Sequence, residues 1–401
     1  MVFTRERVKT MKIQFSKRIR WDLEENELAR ALARKRGAGT PVLDLTESNP
    51  TRAGFPYPAA GIRGSFDDEA LLQYAPDPRG AESARSAVSG YYRERGADVS
   101  LDDVFLTAST SEAYGFLFKL LCDAGEEVLV PRPSYPLFDF LAALDEVKPV
   151  SYSLRFDGDW HLDFGTLEAA LSEKSRALVA VHPNNPTGSY VSREDRERLL
   201  TLCADHGLAL IVDEVFLDFP LTRKGGRETF ASSRHGLSFV LSGLSKLAGL
   251  PQMKLGWIAV TGDRASRKEA ALRLEHIADS YLSVGAPAQI AAPALLKLAP
   301  ETRRLISERT LRNLDSLRRV VTSAPTMTLP MPEGGWYAAI RLPAVRSSEE
   351  WALSLLEQQS VYVHPGIFFG FDVEAYVVVS LLTPEEIFVG GVHRILRAVA
   401  T

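Results

Sequence analysis

The sequence predicts an α/β domain built around a mainly parallel sheet, followed by a smaller α+β module. From about residue 100 to 261, seven apolar segments alternate with amphipathic helical segments, a pattern typical of buried parallel strands. After residue 290 the alternation gives way to longer helical segments and a few short strands. The 401-residue chain is 45% hydrophobic and 24% charged, which excludes a disordered or collagen-like protein.

The overall charge gives no indication of a polyanionic partner. The 47 Lys and Arg residues and 51 Asp and Glu residues leave a net charge of −4, so neither nucleic acid nor an anionic membrane surface is expected to bind. No apolar run approaches the roughly 18 residues that a membrane span needs, and the N-terminus lacks the apolar region of a signal peptide. Cys122 and Cys203 cannot form a disulfide framework, which favours a cytoplasmic location with both side chains in the core.

The first 45 residues predict an N-terminal arm and one helix that packs with the C-terminal module. Met11 is an alternative start, so residues 1–10 could be dispensable. A short strand and a loop rich in Pro and Gly follow over residues 42–58. The apolar residues near helical spacing are Trp21, Leu23, Leu28, Ala31 and Leu32, ahead of Gly37 and Gly39.

The alternating region is expected to form the central sheet. A complete helix is indicated between two strands, with a capping box of Ser192 and Asp195 at its start and Gly207 at its end. In such a sheet the loops that bind ligands follow the carboxyl ends of the strands. The predicted strands are 103–107, 127–130, 147–153, 177–181, 208–213, 238–242 and 256–261.

The C-terminal part predicts a mixed module of helices and short strands. Helices are expected over 290–299, 301–322, 349–359 and 384–400, and strands over 333–342, 361–366 and 375–382. We therefore divide the chain into an N-terminal arm and helix (1–45), a large domain (46–290) and a small domain (291–401).

Several common catalytic signatures are absent from the sequence. It has no G-x-G-x-x-G after a strand, no P-loop, no H-E-x-x-H and no C-x-x-C, which disfavours a dehydrogenase, a kinase and a metalloenzyme, and no metal site is predicted. A Ser-x-x-Lys hydrolase is disfavoured because Gly243 lies three residues before Lys246.

Polar side chains instead follow three successive strands. The segments are HPNNPTG (182–188), DEVF (213–216) and SGLSK (242–246). Taken singly, each has an ordinary structural interpretation, namely a turn, a helix cap and a surface lysine. Because all three come at strand ends of one predicted parallel sheet, we expect them to lie close together.

These three segments resemble the class I/II aminotransferases of the fold-type I pyridoxal-phosphate (PLP) enzymes. The order matches, as do the separations of 28 residues from Asn185 to Asp213 and 33 from there to Lys246. The resemblance covers about residues 40–390. It implies a fold-type I transferase with a large PLP-binding domain, and a ping-pong transfer of an amino group between an amino acid and a 2-oxo acid. It also implies a homodimer with a shared active site.

The resemblance assigns roles around the cofactor ring. Lys246 supplies the amine that reacts with the cofactor's aldehyde and then moves a proton as base and acid. Asp213 keeps the pyridine nitrogen protonated, so that the ring acts as an electron sink. Asn185 matches the side chain that binds the ring hydroxyl, and Tyr135 in PRPSYPLF matches the aromatic residue that stacks on the ring.

The remaining predicted contacts surround the phosphate and the substrate. A polar loop that enters a helix after strand 103–107 fits a phosphate site, and Tyr74 matches a tyrosine that reaches the neighbouring subunit's phosphate. Two positions depart from the family pattern, with Lys254 in place of an arginine and Phe216 in place of a tyrosine. The predicted phosphate contacts are Ser109, Thr110, Ser111 and Ser245, and the predicted substrate contacts are Ser48 and Asn49.

The largest departure lies near the C-terminus. Val378 stands where the family carries the arginine that binds the substrate's α-carboxylate. Arg341 and Arg52 are candidate substitutes, and His182 and His364 are expected to be structural despite their positions in loops near the site.

Two other functions remain open at this stage. One is a different PLP reaction on the same fold, such as β-elimination by a C–S lyase or decarboxylation, because the fold does not fix the reaction. The other is a PLP-binding protein without turnover.

Overall fold

A computed structural model of the chain describes residues 15–19, 25–222, 227–373 and 375–400. The helices of this part are α1 (Glu27–Gly37), α2 (Ala59–Gly64), α3 (Glu82–Arg93), α4 (Thr110–Leu121), α5 (Phe138–Leu144), α6 (Phe164–Ala169), α7 (Arg193–Asp205), α8 (Leu244–Leu247), α9 (Arg264–Asp279), α10 (Ala286–Thr322), α11 (Ser348–Gln359) and α12 (Glu385–Ala400). The strands are β1 (Leu43–Asp44), β2 (Val104–Thr107), β3 (Glu127–Arg132), β4 (Lys148–Phe156), β5 (Trp160–Leu162), β6 (Ser175–Val181), β7 (Ala209–Asp213), β8 (Leu237–Gly243), β9 (Gly256–Gly262), β10 (Tyr337–Arg341), β11 (Val361–Tyr362), β12 (His364–Pro365) and β13 (Tyr376–Ser380).

The main sheet is mainly parallel, as predicted. Its strand order is β2-β9-β8-β7-β6-β3-β4-β5, and each predicted strand of the alternating region is present. Neighbours among β8, β7, β6, β3 and β4 pair parallel, whereas β9 pairs antiparallel with both β8 and β2. Because β9 lies between them, β2 runs in the same direction as β8, and its carboxyl end reaches the same edge of the sheet.

Both faces of this sheet are buried, which explains the continuous apolar strands. In β7, Leu210 belongs to the core formed with α3 and α10, where it joins Val88 and Leu295. The next residue, Ile211, belongs to the core on the opposite face, formed with α4 and α9. Helices therefore cover both faces, and ligands can reach the sheet only at its edges and ends.

A second core lies between the C-terminal elements and α1. Strands β10, β13 and β12 form a three-stranded antiparallel sheet, and β1 pairs with β11. Leu28, Ala31 and Leu32 of α1 pack in this core. The predicted helical residues Trp21 and Leu23 lie outside the described residues.

Helix α10 corrects one prediction. The sequence indicated a break at Pro300, but α10 is a single 37-residue helix that contains Pro293 and Pro300. Its first half contributes residues such as Leu295 to the main core, and its second half contributes residues such as Leu317 to the second core. Packing against α3 and α12 offsets the hydrogen bonds that the two prolines cannot donate. The predicted boundary at 290/291 remains a proposal, because this helix belongs to both cores.

Helix α7 begins and ends as the sequence predicts, with a simpler cap. The Ser192 hydroxyl accepts a hydrogen bond from the Asp195 N–H at 3.0 Å, without the reciprocal bond of a capping box. Gly207 follows the helix with a φ of +63°. The full capping box occurs instead at α11, between Ser347 and Glu350.

None of the described helices is long and apolar enough to cross a membrane. The same residues include no group of three or more His, Cys, Asp or Glu side chains that could hold a metal ion. Both cysteines are unpaired, and burial raises the pKa of the Cys122 and Cys203 thiols to about 12. Neither thiol is therefore an activated nucleophile near neutral pH.

Candidate active site

A cleft lies at the edge of the main sheet where β2, β6, β7 and β8 end. The register fixes this convergence, because Asp213 at the end of β7 pairs with Val181 of β6 and with Leu241 of β8. The cleft is lined by Ser109, Thr110, Tyr135, Val181, Asn185, Asp213, Val215, Phe216, Gly243, Ser245, Lys246, Leu255, Gly256 and Tyr337. The structure thus brings together side chains from all three sequence motifs and from the loop after β2.

Asp213 is the only carboxylate among these lining residues, and it is held rigidly. The Tyr114 hydroxyl donates a 3.2 Å hydrogen bond to Oδ2, and the Val215 N–H donates a 3.1 Å bond to Oδ1. Burial raises the pKa of Asp213 to about 6, although both hydrogen bonds and nearby Lys246 oppose the shift. A buried carboxylate of this kind binds a cationic N–H group strongly.

Among the residues that the structure describes, Lys246 is the only amine that lines the cleft. It lies on α8, three residues after β8 ends. Burial lowers its pKa to about 8, and the charge of Asp213 limits that shift. Near neutral pH a useful fraction of the amine is therefore neutral and nucleophilic.

The loop after β2 presents unpaired N–H groups to the cleft. Ser109 is the N-cap of the 12-residue helix α4, and its hydroxyl accepts a 3.2 Å hydrogen bond from the Glu112 N–H. The N–H groups of Thr110 and Ser111 lie in the first turn, where an α-helix offers them no carbonyl partner. With the helix dipole, these groups suit a phosphate.

Gly256 allows this loop to lie close to β9. A Cβ at this position would lie 3.1 Å from the Ser109 carbonyl carbon and 3.2 Å from both the Thr110 nitrogen and the Thr107 hydroxyl. These are mostly backbone atoms of a helix start, so they cannot move aside cheaply.

We therefore expect Gly256→Ala to displace the loop and weaken PLP binding about tenfold. The measurement is a titration of cofactor-free protein with PLP, followed by absorbance. Gly90→Ala in α3 is the matched control, because a Cβ there would meet no atom within 4 Å. Equal affinities of the two variants for PLP would contradict the expectation.

Asn185 carries an unpartnered buried amide at the cleft wall. Its Oδ1 has no hydrogen-bond partner among the described residues. The residue is only 8% exposed, so bulk solvent does not readily supply one. The preceding Asn184 differs, since it bonds to Ser134, Thr187 and the Pro133 carbonyl and so fixes the loop. The Asn185 amide is thus available for a ligand hydroxyl.

Tyr135 and Tyr337 supply the aromatic walls. The Ser111 side chain hydrogen-bonds with Tyr135, whose pKa burial raises to about 12. Ser48 hydrogen-bonds with Tyr337 but does not itself line the cleft. Ser111 and Ser48 therefore act through these tyrosines in the described structure.

Three predicted contacts do not line the cleft in this chain. Lys254 is exposed in the turn before β9, with a φ of +50°. Tyr74 is 87% exposed. Asn49 stabilises its own loop, where Oδ1 accepts bonds from the N–H and the hydroxyl of Thr51.

Apolar side chains surround Val378. It is fully buried and packs with Phe369, Phe371 and Tyr376, and its register partners are Ala339 and His364. The two candidate substitutes, Arg341 and Arg52, are exposed and do not line the cleft. Neither of them stands in for the missing arginine in this geometry.

The structure keeps His182 in the core rather than in the cleft. Its Nδ1 accepts a 3.0 Å hydrogen bond from the Val191 N–H, and its ring packs edge-on against Tyr190 and Phe230. Burial lowers its pKa to about 3, so it stays neutral. His364 is also largely buried, which lowers its pKa.

The residues present fit PLP. An amine, a buried carboxylate, an unpartnered amide and a helix start line one cleft, and they match the aldehyde, the ring nitrogen, the ring hydroxyl and the phosphate, respectively. Sequence reasoning missed Tyr114, Trp336, Tyr337 and Gly256. Tyr114 could have been found from its position three residues after Ser111, on the face of α4 that meets the sheet.

Comparison with known proteins gives a consistent result. The family model for aminotransferase class I and II matches residues 40–389. The chain is 26% identical over 375 residues to the glutamate-pyruvate aminotransferase AlaA of Escherichia coli K12, covering 89% of this chain and 92% of that protein. It is 29% identical over 348 residues to the alanine aminotransferase of Mycobacterium tuberculosis H37Rv, covering 84% and 81%.

Solved structures share the fold. An alanine aminotransferase from Pyrococcus furiosus superposes with a TM-score of 0.87 at 24% identity, covering 96% of this chain and all of that one. An aminotransferase from Escherichia coli gives 0.85 at 23% identity, covering 97% and 99%. These matches confirm the predicted fold class.

Proposed function

The chain belongs to the class I and II aminotransferase family, and on this premise we propose that it transfers an amino group between an amino acid and a 2-oxo acid with PLP in the cleft. The observation that carries the proposal is the cleft that Lys246 shares with the buried carboxylate of Asp213 and the unpartnered amide oxygen of Asn185. When bound, PLP supplies an aldehyde for the amino group and an electron sink for the electrons released at the substrate's Cα.

Each residue has a task that follows from its chemistry. The Lys246 amine would be the nucleophile that holds the cofactor's aldehyde, and as a free amine it would take a proton from the substrate's Cα and return one. Asp213 holds a proton on the ring nitrogen, and Asn185 binds the ring hydroxyl. Tyr135 packs against the ring and excludes water.

The phosphate is held by neutral donors rather than by a bidentate cation. Thr110 and Ser111 donate backbone N–H groups, and Ser109 and Ser245 offer hydroxyls. Lys254 is proposed to contribute as a point charge, without the two-pronged geometry of an arginine. Phe216 cannot donate the hydrogen bond that a tyrosine would, so the ring hydroxyl depends more on Asn185.

Product analysis tests the proposal. Purified protein with PLP is incubated with alanine, glutamate or aspartate, the amino acids in the names of relatives, and with pyruvate or 2-oxoglutarate. We expect one new amino acid per amino acid consumed, with no release of ammonia. A 2-oxo acid plus ammonia without an acceptor would instead indicate a β-eliminating lyase.

Covalent labelling tests the cofactor site independently of the substrate. We expect borohydride to fix PLP to Lys246, identified by peptide mapping. A protein that stays colourless and unlabelled after addition of PLP would overturn the whole proposal.

We also propose a cytoplasmic homodimer. Exposed apolar side chains of Tyr74 (87% exposed) and Leu282 (39%) line a cavity of about 210 Å³, and Leu72 (89%) and Tyr281 (51%), close to them in sequence, are exposed too. A second copy that covers this surface would allow Tyr74 to reach the partner's phosphate site. Light scattering should then give twice the chain mass of 44.2 kDa.

A further inference from the structure

We infer that Phe216 and Trp336 form an aromatic clamp that positions the Lys246 amine and favours its protonated form. The inference rests on the proposed function, since it concerns the amine that reacts there. It adds two positioning residues to the site, of which Trp336 does not line the cleft.

Both rings lie within cation–π distance of the amine. Lys246 Nζ is 5.6 Å from the Phe216 ring centroid and 5.2 Å from the Trp336 centroid. A cation within about 6 Å of a ring face is attracted by the ring's quadrupole, and the attraction grows where water is excluded. Phe216 is 4% exposed and Trp336 is fully buried, so the two rings exclude water from their side of the amine.

Packing, and not hydrogen bonding, fixes the Trp336 ring. Phe216 and Phe219 meet it edge-on, with centroids 5.2 and 5.0 Å away. The Trp336 Nε1–H has no acceptor among the described residues. Its backbone is tied at both sides, because the Trp336 carbonyl accepts from the Leu381 N–H and the Gly335 N–H donates to Phe219.

The clamp acts on an amine that burial drives towards the neutral form. Within the described ranges, Asp213 from β7 is the only carboxylate that lines the cleft around Lys246. The other titratable neighbours are Tyr135, after β3, and Tyr337, on β10, and burial raises the pKa of both, so they stay uncharged. The two ring faces therefore supplement the charge of this one carboxylate in keeping a proton on Nζ. They also limit where the flexible lysine side chain can place its amine.

The pH dependence of Lys246 acylation in cofactor-free protein tests the inference without any turnover. Only the neutral amine reacts, so the midpoint, read by peptide mapping, reports the lysine pKa. We expect Trp336→Leu and Phe216→Leu each to lower this midpoint by about 0.5 to 1 pH unit. Trp336→Phe retains a ring face, so its midpoint should stay close to that of the unaltered chain.

Phe219→Leu is the matched control. Phe219 packs on Trp336, so this substitution removes a similar amount of apolar contact without removing a ring that faces the amine. Its midpoint should equal that of the unaltered chain. An unchanged or raised midpoint in both leucine variants of the clamp, or an equal shift in Phe219→Leu, would overturn the inference. If Trp336→Leu fails to fold, the lowered midpoint expected of Phe216→Leu tests the inference alone. Failure of PLP to label Lys246 would contradict the proposed function. The midpoints would still test the inference, because they are measured on cofactor-free protein.

Discussion

Lys246→Ala is expected to lower kcat/KM for amino transfer by about 10⁴-fold or more. No other amine of the described part of the chain lines the cleft, and burial brings the pKa of Lys246 down to about 8, where the amine can act both as nucleophile and as base. The measurement is steady-state amino transfer at saturating PLP, with the absorbance of the bound cofactor recorded in parallel.

Two comparisons separate the roles of this side chain. Lys246→Arg retains a cation but cannot act as a nucleophile, and we expect it to be as inactive as Lys246→Ala. A small primary amine added to Lys246→Ala should recover part of the rate, because it replaces the missing base. An activity of Lys246→Ala within tenfold of the unaltered chain would place the reactive amine elsewhere.

The sheet and the residues at its strand ends could be predicted because their signals are local. A buried parallel strand is apolar throughout, so β6, β7 and β8 are visible as uninterrupted runs. The polar residues that follow them interrupt the runs at once, which marks both the end of each strand and the candidate site. The segments that contain Asn185, Asp213 and Lys246 were found in this way, and the family resemblance singled out the three residues. The structure places all three on one cleft.

The residues that were missed act through contacts between distant parts of the chain. Trp336 meets Lys246, 90 residues away in sequence, only because the segment before β10 is hydrogen-bonded to the loops that follow β6 and β7. The sequence places Tyr114 on the face of α4 that meets the sheet. Its role depends on the hydrogen bond from its hydroxyl to Asp213, which only the structure shows. The continuity of α10 through Pro300 likewise depends on its packing against α3, which propensity does not include.

Val378 shows the same limit for substrate binding. Its identity is a clear departure in the sequence, yet the sequence did not reveal its surroundings. In the structure Val378 packs in an apolar cluster with Phe369 and Tyr376. Val378 therefore cannot bind the substrate's carboxylate, and neither Arg341 nor Arg52 lines the cleft in its place.

Asp213→Asn is expected to lower kcat by about 10²- to 10³-fold while leaving the protein folded. An amide cannot hold a proton on the ring nitrogen, but it can keep the local contacts. It can accept the Val215 N–H and donate to the Tyr114 hydroxyl, which now bond to the carboxylate. The loss should therefore appear in the rate and not in secondary structure.

Glu214→Gln is the matched control, since Glu214 is a neighbouring buried carboxylate that binds Thr229 and the Phe230 N–H and does not line the cleft. Its kcat should stay near that of the unaltered chain.

Stability separates a catalytic from a structural role for Asp213. Burial raises its pKa from 3.8 to about 6, so the native state binds this proton more tightly than the unfolded chain does. The free energy of unfolding contributed by this group therefore falls as pH rises through that interval and stays low above it. Asn carries no charge and avoids the loss, so cofactor-free Asp213→Asn should unfold at the same or a higher temperature than the unaltered chain at about pH 7.5. Lower activity with an undiminished unfolding temperature would show that this carboxylate serves the ring nitrogen and does not stabilise the fold. A marked fall in both would mean that it is structural.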